Sequence, residues 1–560
     1  MPRTTATTET IHVPVLIVGG GIVGLSASLF LSHNDIHSLL VERHSSTSIH
    51  PRARSVNART MEIFGSIGLS ELVRDAGASL APSKGILHSN DSFKSVMEAR
   101  PRMQKNPATD TRGWFVRWAK IGPEDGTFVT QDMLEPVLLK VAAERGGDIR
   151  FHTECTGIRQ DQEKVTATIQ NRETGDTITV IADYLIAADG ANSPIRSQLK
   201  VPTTGRGTMG HLLNILFQAD LKDLVEKREI SLCVIDRPEV AGLLTAINNS
   251  DRWVFHLSYD PSRNEKPGDL SPEICRELLR IALGIPDLKI RILSILPWQP
   301  SVRVATKLQH GRTFLAGDAA HQMPPYGGQG ANTGISDAYN LAWKLSLVLK
   351  DMAHPRLLET YGIERLPVGK VAAEASAAPA DDRGLISPLK LNWKTLNGWS
   401  KIVPLTSGFG SAVIEENTWP LRGVTWKAWS APSLLHSLDG RPGSRAPHVW
   451  VEKDGKTIST LDLLGKGFVL LIGNEGKGAW TEALETVKLK FKDLELIGYC
   501  VGPNGKIIVK RSKEWEIAAG ISSNGALLVR PDGFVAWRQR KIPTEVQAEL
   551  ERVIRKILCL

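Results

Sequence analysis

The chain has 560 residues, 42% of them apolar and 23% charged, the balance of a soluble globular protein with room for about three domains. Its net charge of +8 comes from lysines and arginines spread along the chain, so nucleic-acid binding is not expected, although phosphorylated small molecules would be attracted. Five scattered cysteines, none spaced C-x-x-C, argue against a disulfide framework, a zinc site or a dithiol pair, and no apolar run approaches the ~20 residues of a membrane span.

The polar start, MPRTTATTET, lacks the apolar core of a signal peptide, so a cytoplasmic protein is expected. Val13 to Val18 is a short β-branched run, the composition of a buried parallel strand. Gly19, Gly21 and Gly24 follow at once as G-x-G-x-x-G, and Ile22 to Leu31 reads as a helix. A second strand, Ser38 to Val41, ends in Glu42, 18 positions after Gly24 (42 − 24). The first glycine permits the tight turn, the second lets a pyrophosphate approach the backbone, and the third lets helix and strand pack closely. The helix N-terminus favours the anion, and Glu42 suits the hydroxyls of a ribose without a 2′-phosphate.

Further along, Trp114 to Trp118 (WFVRW) is a candidate pocket wall. Thr130 is placed to N-cap an amphipathic helix that starts at Gln131. Between Pro202 and Val304 the runs LLNILFQAD, EISLCVID, VAGLLTAIN and RWVFHLSYD predict a largely antiparallel sheet. The alternation in Val254-Phe255-His256-Leu257 suggests that one face of it lines a pocket.

Phe314 to Leu345 forms a second strand-loop-helix unit. Asp318 ends a short strand, where ligands of α/β folds gather. Pro324 and Pro325 stiffen the turn. Gly327, Gly328 and Gly330 leave the backbone open to close approach. From about Ala331, the residues Ile335, Ala338, Leu341, Ala342 and Leu345 mark one apolar helix face. A second helix N-terminus therefore points at whatever lies on the loop. The two sites suit the two ends of one long cofactor, and FAD has that shape. His321, at the same mouth, reads as a hydrogen-bonding partner rather than an acid or base.

Residues 381–430 read as an irregular linker containing the Trp-rich TWPLRGVTWKAW. Beyond it, VLLIG, a helical AWTEALETVKLKF, LELIGYCV and a late hairpin give a β-α-β pattern. A redox thioredoxin carries its C-x-x-C after the first core strand. Here Gly473-Asn474-Glu475-Gly476-Lys477 stands in that place, which predicts a structural or oligomerising domain and leaves a homodimer open.

Four motifs in order, GGGIVG with Glu42, HPRARSVNARTMEIFGSIGL, YLIAADGANSPIRSQL and GRTFLAGDAAHQMPPYGGQGANTGISDAYNLAWKL, resemble the aromatic-hydroxylating flavoprotein monooxygenases, the para-hydroxybenzoate and phenol hydroxylase family, and within it the polyketide hydroxylase subgroup. The resemblance implies an α/β and α+β multidomain fold: a Rossmann-like FAD-binding domain (residues 1–201 and 305–380), an inserted antiparallel-sheet substrate domain (202–304), the linker (381–430) and a thioredoxin-like domain without C-x-x-C (431–560). By the same resemblance, Glu42 would bind the adenosine ribose, and Arg52 the FAD and the nicotinamide cofactor. Gln131 would touch the flavin side chain, and Asp189 would serve both FAD and NAD(P)H. Asp318 would hold the ribityl chain, the Pro325 carbonyl would sit beside the reacting flavin edge, and Gly327, Gly328, Gly330, Ala331 and Asn332 would hold the pyrimidine side. Arg196 reads as a support for the Asp189 turn, and Arg54 and Arg59 as site residues or as partners of surface carboxylates.

The implied activity is hydroxylation of a phenolic or polyketide-type aromatic by O2 and NADH or NADPH through a flavin-4a-hydroperoxide. Baeyer-Villiger insertion or epoxidation stays open beside it. The catalytic base is not legible, and neither metal nor membrane is called for.

Overall fold

The computed structural model describes residues 9–80, 85–100, 122–263, 266–387, 439–503, 505–509 and 512–560. The strand Thr10–Val18 lies inside an eight-stranded sheet, and Val15, Leu16, Ile17 and Val18 are all buried, as a parallel strand covered by helices on both faces requires. Ser38–Val41 pairs with it on one side and Thr177–Ala187 on the other, both parallel. Asp148–Arg150 and Thr313–Leu315 extend the parallel set, and the hairpin Thr153–Gln160 and Val165–Asn171 adds antiparallel strands. The carboxyl ends of Thr10–Val18, Thr177–Ala187 and Thr313–Leu315 are thus adjacent. That places the first glycine loop, the Asp189-Gly190 turn and Asp318 along one rim of the sheet, where α/β folds bind ligands.

The four strands expected between Pro202 and Val304 are present as Leu212–Gln218, Leu232–Asp236, Ala241–Ala246 and Arg252–Ser258, with antiparallel pairing. Two more strands join them. Arg291–Trp298 pairs at one edge, where Pro297 does no harm to the ladder. Ile86–Ser89 comes from far upstream and lies parallel to Leu232–Asp236 at the other edge. Alternation then sorts the two faces. Ile215, Phe217, Leu244, Trp253 and Phe255 pack into a core with Phe93, Met97 and the helix Pro272–Leu283. The residues between them turn toward the parallel sheet.

The helix Gln329–Leu349 starts within two residues of the predicted position, and its predicted apolar face is buried. The other side is buried too, including Asp337, Asn340 and Lys344. Asp337 packs on His321 and Arg365, and the rest of that side is covered by the C-terminal segment: Phe468 meets Trp343 edge-on with ring centroids 6.0 Å apart, and Asp532 accepts from Asn340 Nδ2 at 3.0 Å. That segment contains a four-stranded sheet. Phe468–Gly473 pairs parallel with Leu496–Val501 and antiparallel with Ala526–Val529, which pairs with Val535–Gln539. The helices Lys477–Lys490 and Val546–Leu558 flank it.

The linker expectation is corrected at its start. Residues 381–387 dock on the six-stranded sheet: Leu385 and Ile386 are buried, Arg383 pairs with Asp236 at 3.0 Å, and Tyr326 donates to Gly384 O at 2.6 Å. The rest of the linker, with its Trp-rich stretch, and Trp114 to Trp118 lie outside the described residues. Among the described residues, no helix is long and apolar enough to cross a membrane.

Candidate active site

Gly19 has φ +110°, and a Cβ there would stand 2.3 Å from Ala188 O, so only glycine makes this turn. A Cβ on Gly24 would stand 1.8 Å from Gly19 O, whereas one on Gly21 would meet nothing nearer than Glu135 Oε1 at 3.6 Å. Helix and strand are thus pressed together at 24 and open toward a cavity at 21. Glu42 Oε2 accepts the Gly20 N–H at 2.6 Å, and Oε1 accepts the His44 N–H at 2.8 Å. The carboxylate therefore braces the loop while it lines the cavity.

Glu135 is a residue that sequence reasoning missed. It is buried, takes the Ile22 N–H at 3.1 Å and the Gln131 side chain at 2.6 Å on Oε1, and takes the Ser48 N–H at 2.7 Å on Oε2. Burial pushes its pKa above the usual carboxylate value. The helix Ile22–His33 has no acid in its first turn and no side-chain cap. Glu135 supplies from another helix the negative charge that its N-terminus favours. The only signal in the sequence is the i, i+4 spacing of Gln131 and Glu135. Thr130 occupies the N-cap position of that second helix, but its hydroxyl makes no cap bond.

At the far end, Gly327 and Gly328 have φ +81° and +63°, and the first turn of Gln329–Leu349 carries neither an acid nor a side-chain cap. Its N–H groups suit an anionic ring edge. Asp318 opens into the cavity, but the protein around it raises its pKa by burial, with His321 and Arg52 acting in the opposite direction. Asn332 spends its side chain on protein: Oδ1 accepts from Asn57 N at 2.9 Å and Thr60 Oγ1 at 2.6 Å, and Nδ2 donates to Gly328 O at 2.6 Å. His321 is fully buried behind the loop, 2.6 Å from Asp337, which Arg365 holds at 2.7 Å. It is a hydrogen-bonding partner and not a cavity residue.

Between the two ends, Asp189 Oδ2 accepts the Ile195 N–H at 3.1 Å, while Oδ1 is buried without a protein partner. Arg196 donates to Ala191 O and Ala319 O, both at 2.9 Å, and so ties the Asp189 turn to the Asp318 loop. Arg52 lines the cavity with an exposed side chain. The surface-pair reading of Arg54 and Arg59 is corrected. Arg54 donates to Ser231 O on the substrate sheet at 3.1 Å, and burial pulls its pKa down to about 10. Arg59 is buried and donates to Asp532 O at 2.6 Å.

The two glycine loops, the Asp189 turn, Arg52 and Asp318 open onto one cavity of about 2020 Å³, roughly twice the upper size of a pocket for one drug-like ligand (~1,000 Å³). Its remaining wall is the inner face of the substrate sheet, with Asn214, Thr245, Val254, His256, Ser294, Leu296 and Trp298. The predicted alternation holds there, since Val254 and His256 face the cavity and Phe255 and Leu257 face the core. Partnerless buried atoms occur along the whole length: Asp189 Oδ1, Gln329 Oε1, Ser294 Oγ and both ring nitrogens of His50. A glycine cradle, orphaned polar atoms, a first helix mouth that Glu135 caps only in part and a second with no side-chain cap fit a long dinucleotide with a second molecule beside it.

A parallel sheet with this rim, closed by a second sheet, defines an FAD-dependent oxidoreductase. Residues 12–376 match the FAD binding domain family, and residues 439–559 match the aromatic-ring hydroxylase C-terminal family. The chain belongs to the FAD-dependent aromatic-ring hydroxylases and is a flavin monooxygenase. It is 37% identical to tetracenomycin A2 monooxygenase-dioxygenase of Streptomyces glaucescens, over 98% of this chain and 97% of that one. It is 35% identical to aklavinone 12-hydroxylase RdmE of Streptomyces purpurascens, over 98% and 99%. The crystal structure of aklavinone-11 hydroxylase in a ternary complex with FAD and aklavinone matches with a TM-score of 0.80 at 30% identity, covering 98% of this chain and 99% of that one.

Proposed function

We propose that this monooxygenase hydroxylates a polycyclic phenol of the aromatic polyketide type, with NADH or NADPH as reductant and O2 as oxidant. One observation carries the reading: both glycine sites and one face of the substrate sheet open onto the same cavity. Bound FAD supplies the redox and oxygen chemistry. The chain's own groups bind, orient and exclude water. In this reading Gly19, Gly21 and Gly24 take the pyrophosphate, Glu42 the adenosine ribose, and Gln131 and Asp318 the flavin side chain. Arg52 and Asp189 serve FAD and the nicotinamide cofactor. Pro325 presents its carbonyl to the reacting edge, and the backbone from Gly327 to Asn332 receives the pyrimidine side, since the Asn332 side chain is already engaged. Baeyer-Villiger insertion is not favoured, because the related enzymes above include named hydroxylases.

The proposal extends to the domains. The sheet order of the C-terminal segment and its flanking helices support a thioredoxin-like domain, here a docking element without a thiol pair. The boundaries near 201, 304 and 430 stand with it, with the linker starting after residue 387 rather than at 381, as do a cytoplasmic location and a homodimer, the last testable by light scattering. The test of function is NADPH oxidation by the FAD-loaded protein across a panel of phenols and polyketide aromatics, with labelled O2. Stimulation by an aromatic and one labelled oxygen in its product are expected. Product from a cyclic ketone with no stimulation by any aromatic would sink the reading.

A further inference from the structure

The inner face of the substrate sheet is mainly apolar, with Ser294 and a cluster around His256 as its polar exceptions. Register sets Asn214 opposite His256, and His256 opposite Leu243, with Thr245 on the diagonal. His256 Nδ1 lies 2.7 Å from Asn214 Oδ1, and Nε2 lies 3.1 Å from Thr245 Oγ1. Leu243, Val254, Leu296 and Trp298 surround the cluster on the cavity wall. An amide oxygen only accepts, so Nδ1 carries the proton and Nε2 presents its lone pair. A proton on Nε2 is disfavoured by burial and by the charge of Arg54, with His50 acting in the same sense. The ring is therefore a fixed neutral acceptor on a mainly apolar wall. The Thr245 hydroxyl donates to the Nε2 lone pair in this structure and can turn about its C–O bond to release it.

We propose that His256 is the positioning and specificity residue for the substrate's hydroxyl: Nε2 accepts from the phenolic O–H, and the Thr245 hydroxyl turns to donate to the same oxygen. Asn214 acts through His256 by holding its tautomer. The apolar neighbours receive the ring faces, so the hydroxyl sets the register of the polycycle in the cavity. A hydrogen bond accepted from the O–H also leaves more electron density on the ring, which favours attack by an electrophilic oxygen. The proton stays on the phenol in this step, so no separate base is required of His256. The inference rests on the hydroxylase reading above and names how that site selects its substrate.

The test uses FAD-loaded protein and two probes, 2-hydroxyanthraquinone and 9,10-anthraquinone, with dissociation constants read from the flavin absorbance. The wild type is expected to bind the hydroxylated probe about tenfold more tightly, the range of one net hydrogen bond. His256→Leu should bring that ratio close to one while leaving the affinity for anthraquinone and the flavin content unchanged. His256→Gln, whose amide oxygen still accepts, should recover part of the ratio, which a merely structural role would not give. A ratio that survives in His256→Leu, or a wild-type ratio near one, overturns the proposal. If aromatics stimulate oxidation while the ratio survives in His256→Leu, the positioning role falls and the hydroxylase reading stands. If no aromatic stimulates oxidation but the ratio still depends on His256, the reverse holds.

Discussion

Gly24 and Gly330 belong to similar loops but make opposite predictions. A methyl group on Gly24 would meet Gly19 O at 1.8 Å, and that atom is backbone. Gly24→Ala should therefore lose its flavin on desalting, and near-stoichiometric flavin would contradict the cradle. A methyl group on Gly330 meets nothing nearer than Met323 Cγ at 3.9 Å. Gly330→Ala should keep the wild-type melting temperature, and any weaker flavin binding then reports contact with the cofactor itself. Burial holds His50 at about 4 and His256 at about 3, against an ordinary 6.5. As pH falls through 6.5 the unfolded chain takes up protons that the folded chain refuses. Stability is thus complete above pH 6.5 and declines below it, by at most about 1.4 kcal/mol per unit for each histidine. Melting curves at pH 7.5 and 5.0 should show a lower midpoint at 5.0, with a smaller drop in His256→Leu; identical drops would contradict a buried neutral ring. The glycine loop was legible in the sequence because its constraint is local. Alternation put His256 on a strand expected to line a pocket, but its role and all of Glu135 were not legible, because they arise from strands and helices that meet only in the fold.

At the scale of elements, the helix Gln329–Leu349 was readable on one side only. Its apolar stripe announced a core, while Asp337, Asn340 and Lys344 looked like a solvated face and are buried. Near its mouth, Asn332 clasps the segment that follows Arg52. Asn332→Ala would leave the Asn57 N–H and the Thr60 hydroxyl without their acceptor. The expected loss is roughly 1–3 kcal/mol for each group left unsatisfied, measured by urea unfolding; a change below experimental error would show that water replaces the amide. The substrate sheet was readable in its four central strands, each a β-branched or aromatic run. Ile86–Ser89 was not, being four residues long and paired with a strand far away in sequence. Residues 381–387 look like linker by composition, and they are held by Leu385, Ile386 and the Arg383–Asp236 pair.

For the whole molecule, the decisive contact is a buried charge cluster between the C-terminal segment and the FAD-binding domain. Arg530 pairs with Glu364 at 2.7 Å and with Asp532 at 2.6 Å, and Lys344 lies 3.3 Å from Glu364, all nearly without solvent. Burial pulls the Lys344 pKa down to about 8. Against the cost of burial, Arg530 and Lys344 hold the Glu364 carboxyl well below the ordinary range. Arg530→Met would leave Asp532 without its cation and Glu364 with Lys344 alone, and a loss of about 3–5 kcal/mol is expected by urea unfolding. A loss under about 1 kcal/mol would mean that water reaches the cluster. No sequence pattern marks these residues, because charges read as surface until the fold brings them together.

The cluster also orders events in time. Glu364 is synthesised 166 residues ahead of Arg530, which at roughly 5–20 residues per second is about 10–30 s on the ribosome. For that interval the long helix that starts at the flavin loop has one flank uncovered and a carboxylate awaiting its arginine. Every described residue on the cavity wall lies at or before Ile386, so that interval delays the cover of the helix and not the supply of cavity residues.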